Sequence, residues 1–316
     1  MRLTISPAGT SRKFFTHRSR RRWGDALTII LFLLPSMALY TVFVLVPVIQ
    51  AAQYSFYKWN GLDALTDYIG LGNYQLMLKD PIFLQAVKNN FLIAVLSLVF
   101  QLPAAIALAI LVNRKLPGRT FFRTVFFLPY ILAPVVVGLI WYYIYNPSNG
   151  LIAGLYHQFA PQATPPAFLA DPNAVLYALF VAITWEFFGF HLILYLAGLQ
   201  NIPEDVVEAA RVDGANSWQV IRHITLPLLG STIRLSAFLS ILGSLQYFDL
   251  VYVMTNGGPV NASQVMALYQ YHFGLQEFRL GYGSAVGVVM FILCFFFGLL
   301  YQRLIMRQDL SGNSAL

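Results

Sequence analysis

Long apolar stretches without charged residues restrict the folds open to this sequence more than any other feature. A helix needs about 20 such residues to cross the roughly 30 Å of hydrocarbon in a bilayer. Only 10% of all residues are charged, whereas soluble domains carry about 25%. The stretches predict six spans: Leu27 to Ile49, Phe91 to Val112, Thr124 to Tyr145, Ala174 to Leu199, Leu235 to Asn256 and Tyr282 to Gln302. We therefore predict an all-α integral membrane protein with six transmembrane helices.

Several of the predicted spans contain proline, which removes one helical hydrogen bond wherever it occurs. Membrane helices tolerate this loss where neighbouring groups bond the freed carbonyl. The residues concerned are Pro35, Pro47, Pro103, Pro129 and Pro134. We interpret them as kinks around a central pathway, with ordinary helix packing as the alternative.

Basic residues are distributed among the loops in a way that predicts the orientation of the chain. If the N-terminus is cytoplasmic, all but four of the 20 Lys and Arg residues lie on the cytoplasmic side. The exceptions are Lys58, Lys79, Lys88 and Arg279. Such a bias sets membrane orientation, so we expect both termini in the cytoplasm. Topology also accounts for the net charge of +7, and no nucleic acid partner is expected.

The same topology divides the chain into three parts. A basic cytoplasmic tail over residues 1–24 is expected to contact anionic lipid headgroups. The membrane domain occupies residues 25–306, and a second cytoplasmic tail covers residues 307–316.

The inner loop between the fourth and fifth spans, residues 200–230, begins with the most acidic part of the chain. Its acids are Glu204, Asp205, Glu208 and Asp213. Asn201 can cap a helix and Pro203 can occupy its first turn, where the helix dipole favours acidic side chains. Gly214 is expected to end this helix in a turn.

A second short helix is expected after that turn. Asn216 or Ser217 can cap it, and it should run from Trp218 to about Ile224, ending before Pro227. The loop therefore predicts a helix, a turn and a second helix in the cytoplasm, against the bilayer.

Seven positions of this loop carry a recognisable signature. They are Glu208, Ala209, Ala210, Gly214, Ile224, Leu226 and Pro227. This spacing resembles the EAA signature of binding-protein-dependent ATP-binding-cassette importers. Further stretches are similar to permeases of the sugar-importer family that includes the maltose and glycerol-3-phosphate systems. These stretches are Leu34-Pro35, Tyr54 to Phe56, Gly70 to Tyr74 and Thr255 to Pro259.

The resemblance implies a noncatalytic permease subunit in the plasma (inner) membrane of a bacterium or archaeon. Such a subunit forms the pathway together with a second permease, and an extracytoplasmic solute-binding protein delivers the carbohydrate. Its EAA loop docks into a separate ATPase, which is present in two copies. The sequence contains no G-x-x-x-x-G-K-[ST] motif. ATP and Mg are therefore expected on the partner ATPase, with neither cofactor nor metal site in this chain.

Two predicted helix faces are candidates for the substrate site. Ile183, Glu186, Phe187 and Phe190 share one face of the fourth span, and Ser240, Gly243, Ser244 and Tyr247 share one face of the fifth. Sugars bind to aromatic planes and to hydroxyl or carboxylate groups in a water-lined cavity. The resemblance adds that these two helices supply the sugar contacts in the maltose permease. We therefore expect a substrate site formed by Glu186, Phe187, Phe190, Ser240, Gly243, Ser244 and Tyr247.

Three alternatives stay open at this point. Glu186 could instead pair with a polar group of a neighbouring subunit. The solute could be glycerol phosphate or a polyol, although Glu186 and Asp249, with few cations inside the spans, argue against an anion. An intramembrane enzyme would need paired His or Ser/His groups, and His191, the one His within the spans, has no evident partner at helical spacing.

Overall fold

A computed structural model describes residues 17–113 and 118–305, so most of the two predicted tails lies outside the described residues. Every regular element in these ranges is a helix. In chain order the α-helices are α1 His17–Tyr40, α2 Val46–Tyr54, α3 Gly72–Lys79, α4 Pro81–Leu96, α5 Leu102–Asn113, α6 Arg119–Ile131, α7 Pro134–Ile144, α8 Leu151–Phe159, α9 Val175–Gln200, α10 Glu204–Val212, α11 Ser217–Val220, α12 Leu226–Leu228, α13 Gly230–Leu245, α14 Asp249–Met254, α15 Met266–Tyr269 and α16 Leu280–Leu304. Four π-helical segments accompany them: Thr41–Leu45, Ser97–Gln101, Ile221–Thr225 and Gln270–Gln276.

Four helices in the described residues are long and apolar enough to cross a membrane. They are Ile29–Tyr54, Pro81–Asn113, Val175–Gln200 and Leu280–Leu304. Two bent helix pairs raise the number to as many as six if each pair is counted as one span. The prediction of an all-helical chain with apolar spans is thus confirmed, whereas the number six stays a prediction.

The chain divides into two compact units at Gln53. The first unit contains α1 and most of α2, a long apolar rod that continues through Pro35 without a break. The second unit runs from Tyr54 onward and contains α3 to α16.

The third predicted span, Thr124 to Tyr145, is not one helix. Thr120–Ile131 and Pro134–Ile144 meet at an angle of 99°. The chain is extended at Leu132 and Ala133, because a residue that precedes proline is disfavoured in the α conformation. Pro134 then occupies the first turn of α7, where its missing N–H costs no hydrogen bond. Pro129 and Pro134, which were expected to kink this span, therefore lie on either side of a break.

The fifth predicted span, Leu235 to Asn256, is also interrupted. Helix α13 ends at Leu245, and α14 begins at Asp249. An acidic side chain is costly inside an apolar span but favourable in the first turn of a helix, so Asp249 suits the start of a new helix. The bent pair that can count as a span here is Ser217–Leu228 with Gly230–Leu245, which meet at 65°.

The second predicted span begins ten residues too late. The helix starts at Pro81, and the Asp80 carboxylate accepts the Ile82 N–H at 2.8 Å, which caps it. The Tyr269 hydroxyl donates to the other oxygen of Asp80 at 2.5 Å, and lies 2.6 Å from the Tyr282 hydroxyl. Burial is the main cause that raises the pKa of Tyr269, and the hydrogen bond to Asp80 is the second cause. The cap therefore also fixes the segment between α14 and α16.

Adjacent asparagines of α4 bind main-chain carbonyls, Asn89 in the same segment and Asn90 in α13. The Asn89 amide donates to the carbonyls of Ala262 and Gln264, at 2.8 Å each. The Asn90 amide donates to the carbonyl of Ser244 at 2.6 Å. Both asparagines are buried, so each bond satisfies a group that would be costly to leave unpaired.

Proline inside an apolar helix follows a π-helical segment three times in the described residues. In each case the residue before the proline donates its N–H to the carbonyl five residues back: Val46 to Thr41, Leu102 to Ser97 and Leu226 to Ile221. The wider turn relieves the clash between the proline ring and the preceding turn. Pro47, Pro103 and Pro227 therefore lie in helices that continue past them.

Helix α9 is the centre of the second unit. Its first half packs in a cluster around Ile183, and its second half packs in another cluster around Leu196. A third cluster, around Phe83, joins α4 to the segment that contains α15 and α16. Helices α9 and α6 approach each other closely, because a Cβ added at Gly189 would lie 2.1 Å from the Phe126 carbonyl oxygen.

Gly189→Ala should destabilise the purified protein by about 1 to 3 kcal/mol, the usual cost of overpacking, because its methyl group would force α6 away from α9. The matched control is Gly154→Ala in α8, where an added Cβ meets nothing within 4 Å. That change should be neutral or slightly stabilising. Thermal unfolding in detergent gives both values, and equal midpoints would contradict the close contact.

Candidate functional site

The two predicted substrate faces meet at one hydrogen bond. The Tyr247 hydroxyl donates to Oε2 of Glu186 at 3.2 Å. The carboxylate is 3% exposed and the tyrosine 9% exposed. The Phe187 ring packs edge-on against the Tyr247 ring, with centroids 6.2 Å apart. The structure thus brings Glu186, Phe187 and Tyr247 together, and gives Glu186 a partner within its own chain.

Tyr130 joins this cluster, and the sequence analysis missed it. Its ring lies 5.1 Å from the Phe190 ring and 5.9 Å from the Phe187 ring, centroid to centroid. Tyr130 is the next-to-last residue of α6 and lies just before the break between α6 and α7. The sequence signal was the pair of prolines at 129 and 134, which marks a distorted helix end beside the aromatic residue.

The stripe proposed for the fifth span is only partly correct. Helix α13 ends at Leu245, so Tyr247 does not continue the helical face of Ser240, Gly243 and Ser244. The Ser244 hydroxyl donates to the Ser240 carbonyl within the helix, at 2.8 Å. Both serines are buried, whereas Gly243 is exposed with open space where a Cβ would lie. The assignment of these residues to a substrate site stays a prediction.

His191 has a partner on another helix, which helical spacing within one span could not reveal. Its Nδ1 lies 2.8 Å from the Ser236 Oγ, and both residues are buried. A catalytic Ser–His pair needs an accessible hydroxyl and usually a group that orients the imidazole. In the residues that the structure describes, no carboxylate bonds the His191 ring. The pair therefore ties α9 to α13 as part of the packing.

The acidic loop forms a helix and a turn close to those predicted. Helix α10 begins at Glu204, two residues later than a cap at Asn201 predicts, and Pro203 lies at the cap position with extended backbone. Asn201 makes no cap bond there, because it still belongs to the end of α9. The first turn contains Glu204 and Asp205, as the helix dipole favours.

The turn after α10 is a Schellman motif built on Gly214. The Gly214 N–H bonds the Arg211 carbonyl at 3.1 Å, and the Ala215 N–H bonds the Ala210 carbonyl at 2.9 Å. Gly214 has a φ of +88°, a conformation in which a Cβ is strained. Nothing lies within 4 Å of the position where that Cβ would be.

The second helix of the loop is longer than predicted. The Asn216 side chain and the Gln219 side chain form a reciprocal capping box, with bonds of 2.9 and 2.7 Å. The helix passes through the π-helical segment and Pro227, and it ends at Leu228. The wider turn before Pro227 explains why the proline does not end it.

The seven signature residues lie along this helix, turn and helix. Glu208, Ala209 and Gly214 are exposed, as is Pro227. The other three, Ala210, Ile224 and Leu226, are half-buried. Helix α10 has no buried residue. The loop therefore presents a nine-residue helix to its surroundings, with Ala209 among its exposed side chains.

The described residues contain no group of three or more His, Cys, Asp and Glu side chains that could hold a metal ion. The arrangement offers two kinds of site: an exposed loop suited to a partner protein, and a buried carboxylate with aromatic rings suited to a polar solute.

Comparison with known proteins bears on both. Residues 101–309 match the protein family described as binding-protein-dependent transport system inner membrane component. The chain is 31% identical over 265 residues to the multiple sugar-binding transport system permease protein MsmF of Streptococcus mutans, covering 83% of this chain and 89% of MsmF. It is also 31% identical over 262 residues to the sn-glycerol-3-phosphate transport system permease protein UgpA of Brucella abortus, covering 82% of this chain and 87% of UgpA.

A solved structure shares the fold. One chain of a bacterial alginate ABC transporter, crystallised in complex with an alginate pentasaccharide-bound periplasmic protein, matches with a TM-score of 0.80 and 25% identity. The match covers 91% of this chain and 96% of that chain. These comparisons confirm the resemblance that the sequence motifs indicated.

Proposed function

Since this chain belongs to the family of inner membrane components of binding-protein-dependent transport systems, we propose that it is a permease subunit of an importer for a carbohydrate of di- or oligosaccharide size. In this proposal it forms the translocation pathway with a second permease. An extracytoplasmic binding protein delivers the solute. Two copies of a separate ATPase supply ATP and Mg chemistry, so this chain is noncatalytic.

The observation that carries the proposal is the exposed signature loop. Helix α10 has no buried residue, and a nine-residue helix is marginal on its own. A surface of this kind suits a docking element for another subunit. Ala209 allows close approach, Gly214 makes the sharp turn, and Glu208 can accept a hydrogen bond from the ATPase. The proposed role of the loop is to transmit movement of the ATPase to the spans.

The cluster around Glu186 supports a carbohydrate as the solute. A carboxylate and a tyrosine hydroxyl can bond sugar hydroxyls, and the Phe187 ring can stack on a sugar face. In the conformation described, Glu186 and Tyr247 bond each other. A sugar would therefore replace that bond when the site opens. The sugar and alginate transporters found by comparison are consistent with this class of solute.

Glycerol phosphate is the second candidate, because the chain is similar to UgpA. The predicted substrate residues include an acid and no Lys or Arg. A phosphate would meet repulsion from Glu186 without a compensating cation. We therefore favour a neutral carbohydrate.

Copurification followed by reconstituted uptake tests the function. The chain expressed with its partner subunits should bring down an ATPase and a second permease. Vesicles containing that complex and its binding protein should take up a neutral oligosaccharide only when ATP is enclosed on the ATPase side. Excess glycerol 3-phosphate should not compete. Competition by the phosphate would select the second candidate, and an active enzyme purified as a lone chain would end the transporter proposal.

The proposed orientation places both termini and the loop over 200–230 in the cytoplasm. Reporter fusions that are active on only one side of the membrane, joined to each terminus in turn, should both report the cytoplasm. A fusion after Gly150 should report the outside, because it lies in a loop of the opposite side. Labelling of either terminus from outside intact cells would contradict the orientation.

A further inference from the structure

A polar cavity of about 840 Å³ lies between α10 and the ends of the neighbouring helices. One face of α10 forms part of its wall: Glu204, Val207, Glu208 and Arg211, at the spacing of one helical face. The wall also includes Arg123, which lies near the start of α6. Of this face the proposed docking role uses only Glu208, and it leaves Glu204, Val207 and Arg211 without a function.

Arg123 is the unusual member of the cavity. Its Nε and Nη2 atoms are fully enclosed and have no hydrogen-bond partner among the described residues. Guanidinium groups are always charged, and enclosing such a group without a partner costs free energy. The cavity therefore holds a cation that this conformation leaves uncompensated.

The carboxylates across the cavity are also uncompensated. Glu204 and Glu208 lie four residues apart on α10, a spacing at which like charges repel. Neither carboxylate forms an ion pair within the part of the chain that the structure describes, and Arg211, on the same face, forms none either. A guanidinium has donors in a planar fork that can bind two carboxylates at once.

We propose that Arg123 is a positioning residue of the loop: when the cavity closes in another conformation, its guanidinium bridges Glu204 and Glu208 and holds α10 against α6. This ion pair fixes the position of α10 relative to the bent pair formed by α6 and α7. The ion pair follows from the geometry of this chain alone, and only its effect on transport rests on the proposed function.

Disulfide trapping measures the approach directly. The sequence has a single cysteine, Cys294, so Cys294→Ala gives a background without thiols. In this background, Arg123→Cys with Glu204→Cys should form a disulfide in membranes that contain the assembled complex, and its yield should differ at least about threefold between nucleotide-free and ATP-trapped states. The control is Arg123→Cys with Ala209→Cys, because Ala209 lies on the opposite face of α10, and it should remain unlinked.

Charge exchange tests the ion pair itself. Arg123→Glu should lower uptake by about tenfold, within the usual range for coupling between sites, because it places a third carboxylate in the cavity. Adding Glu204→Arg should restore uptake to within about threefold of the parent. If Arg123 acted only through packing, this exchange would not restore uptake.

Either of two results overturns the proposal: absence of the disulfide between the cysteines at positions 123 and 204 in both nucleotide states, or failure of the Glu204→Arg exchange to restore uptake. The trapping experiment reads geometry and needs no transported solute. Its failure would therefore leave the carbohydrate importer standing. A chain purified without ATPase or second permease would refute the importer, and disulfide formation in that chain alone would still test the approach of α10 to Arg123.

Discussion

Gly214→Asp should reduce uptake by roughly 100-fold while the chain remains in the membrane and the complex still hydrolyses ATP. Gly214 has a φ of +88° and lies at the exposed turn after α10. Aspartate tolerates this conformation better than most residues, and the strain is about 1 to 2 kcal/mol, too little to unfold the protein. A charge in a closely packed interface costs more, about 3 kcal/mol at a central position. The expected result is uncoupling of hydrolysis from uptake.

Gly118→Asp is the matched control. Gly118 also has a positive φ, +78°, and open space where a Cβ would lie. It lies before α6, outside the signature loop. The two substitutions therefore introduce the same charge with similar backbone strain at different places. Normal uptake with Gly214→Asp, or an equal loss with Gly118→Asp, would count against the docking role of the turn.

Glu186→Gln and Tyr247→Ala should each raise the solute concentration for half-maximal uptake by about 5-fold to 150-fold. The first keeps the shape of the side chain and removes its charge, and the second removes an aromatic plane and a hydroxyl. Leaving a buried polar group without its partner costs about 1 to 3 kcal/mol, which corresponds to this range. Uptake into reconstituted vesicles across a series of sugar concentrations gives the measurement, with the yield of assembled complex recorded for each variant.

Two smaller changes separate binding from packing. Tyr247→Phe keeps the ring and removes only the hydroxyl that donates to Glu186. Ser236→Ala removes a buried hydroxyl of similar importance, the partner of His191, away from the proposed site. The first should weaken apparent sugar affinity, and the second should lower thermal stability without that effect. Equal kinetics for both variants would move the substrate site elsewhere, and failure of Glu186→Gln to assemble would favour a structural role for the carboxylate.

Hydropathy predicted the helices that cross without interruption. The fourth and sixth predicted spans differ from α9 and α16 by only one or two residues at each end, because apolar length alone determines such helices. Hydropathy did not predict the helix ends and starts that a proline or an acidic residue determines. The Ala133-Pro134 bond forces extended backbone, and Asp249 starts a new helix. Both signals were present in the sequence, but an apolar average does not register them.

Helical spacing predicted half of the candidate site. It placed Glu186 and Phe187 on one face of α9, since that helix is continuous. It could not place Tyr247, because α13 ends two residues earlier. Helical spacing could not predict contacts between residues far apart in sequence. The His191–Ser236 bond joins α9 to α13, and the Tyr130 ring contacts the cluster from α6. Periodicity describes one helix at a time, whereas these contacts depend on how helices pack.

Helix α10 owes little of its order to this chain, because none of its nine residues is buried. In the proposed importer, folding of this helix and association with the ATPase are then parts of one equilibrium. The free energy needed to order the helix is subtracted from the affinity of docking. Substitutions that raise helix propensity at exposed positions without touching the partner would thus strengthen assembly, and those that lower it would weaken assembly without removing any contact.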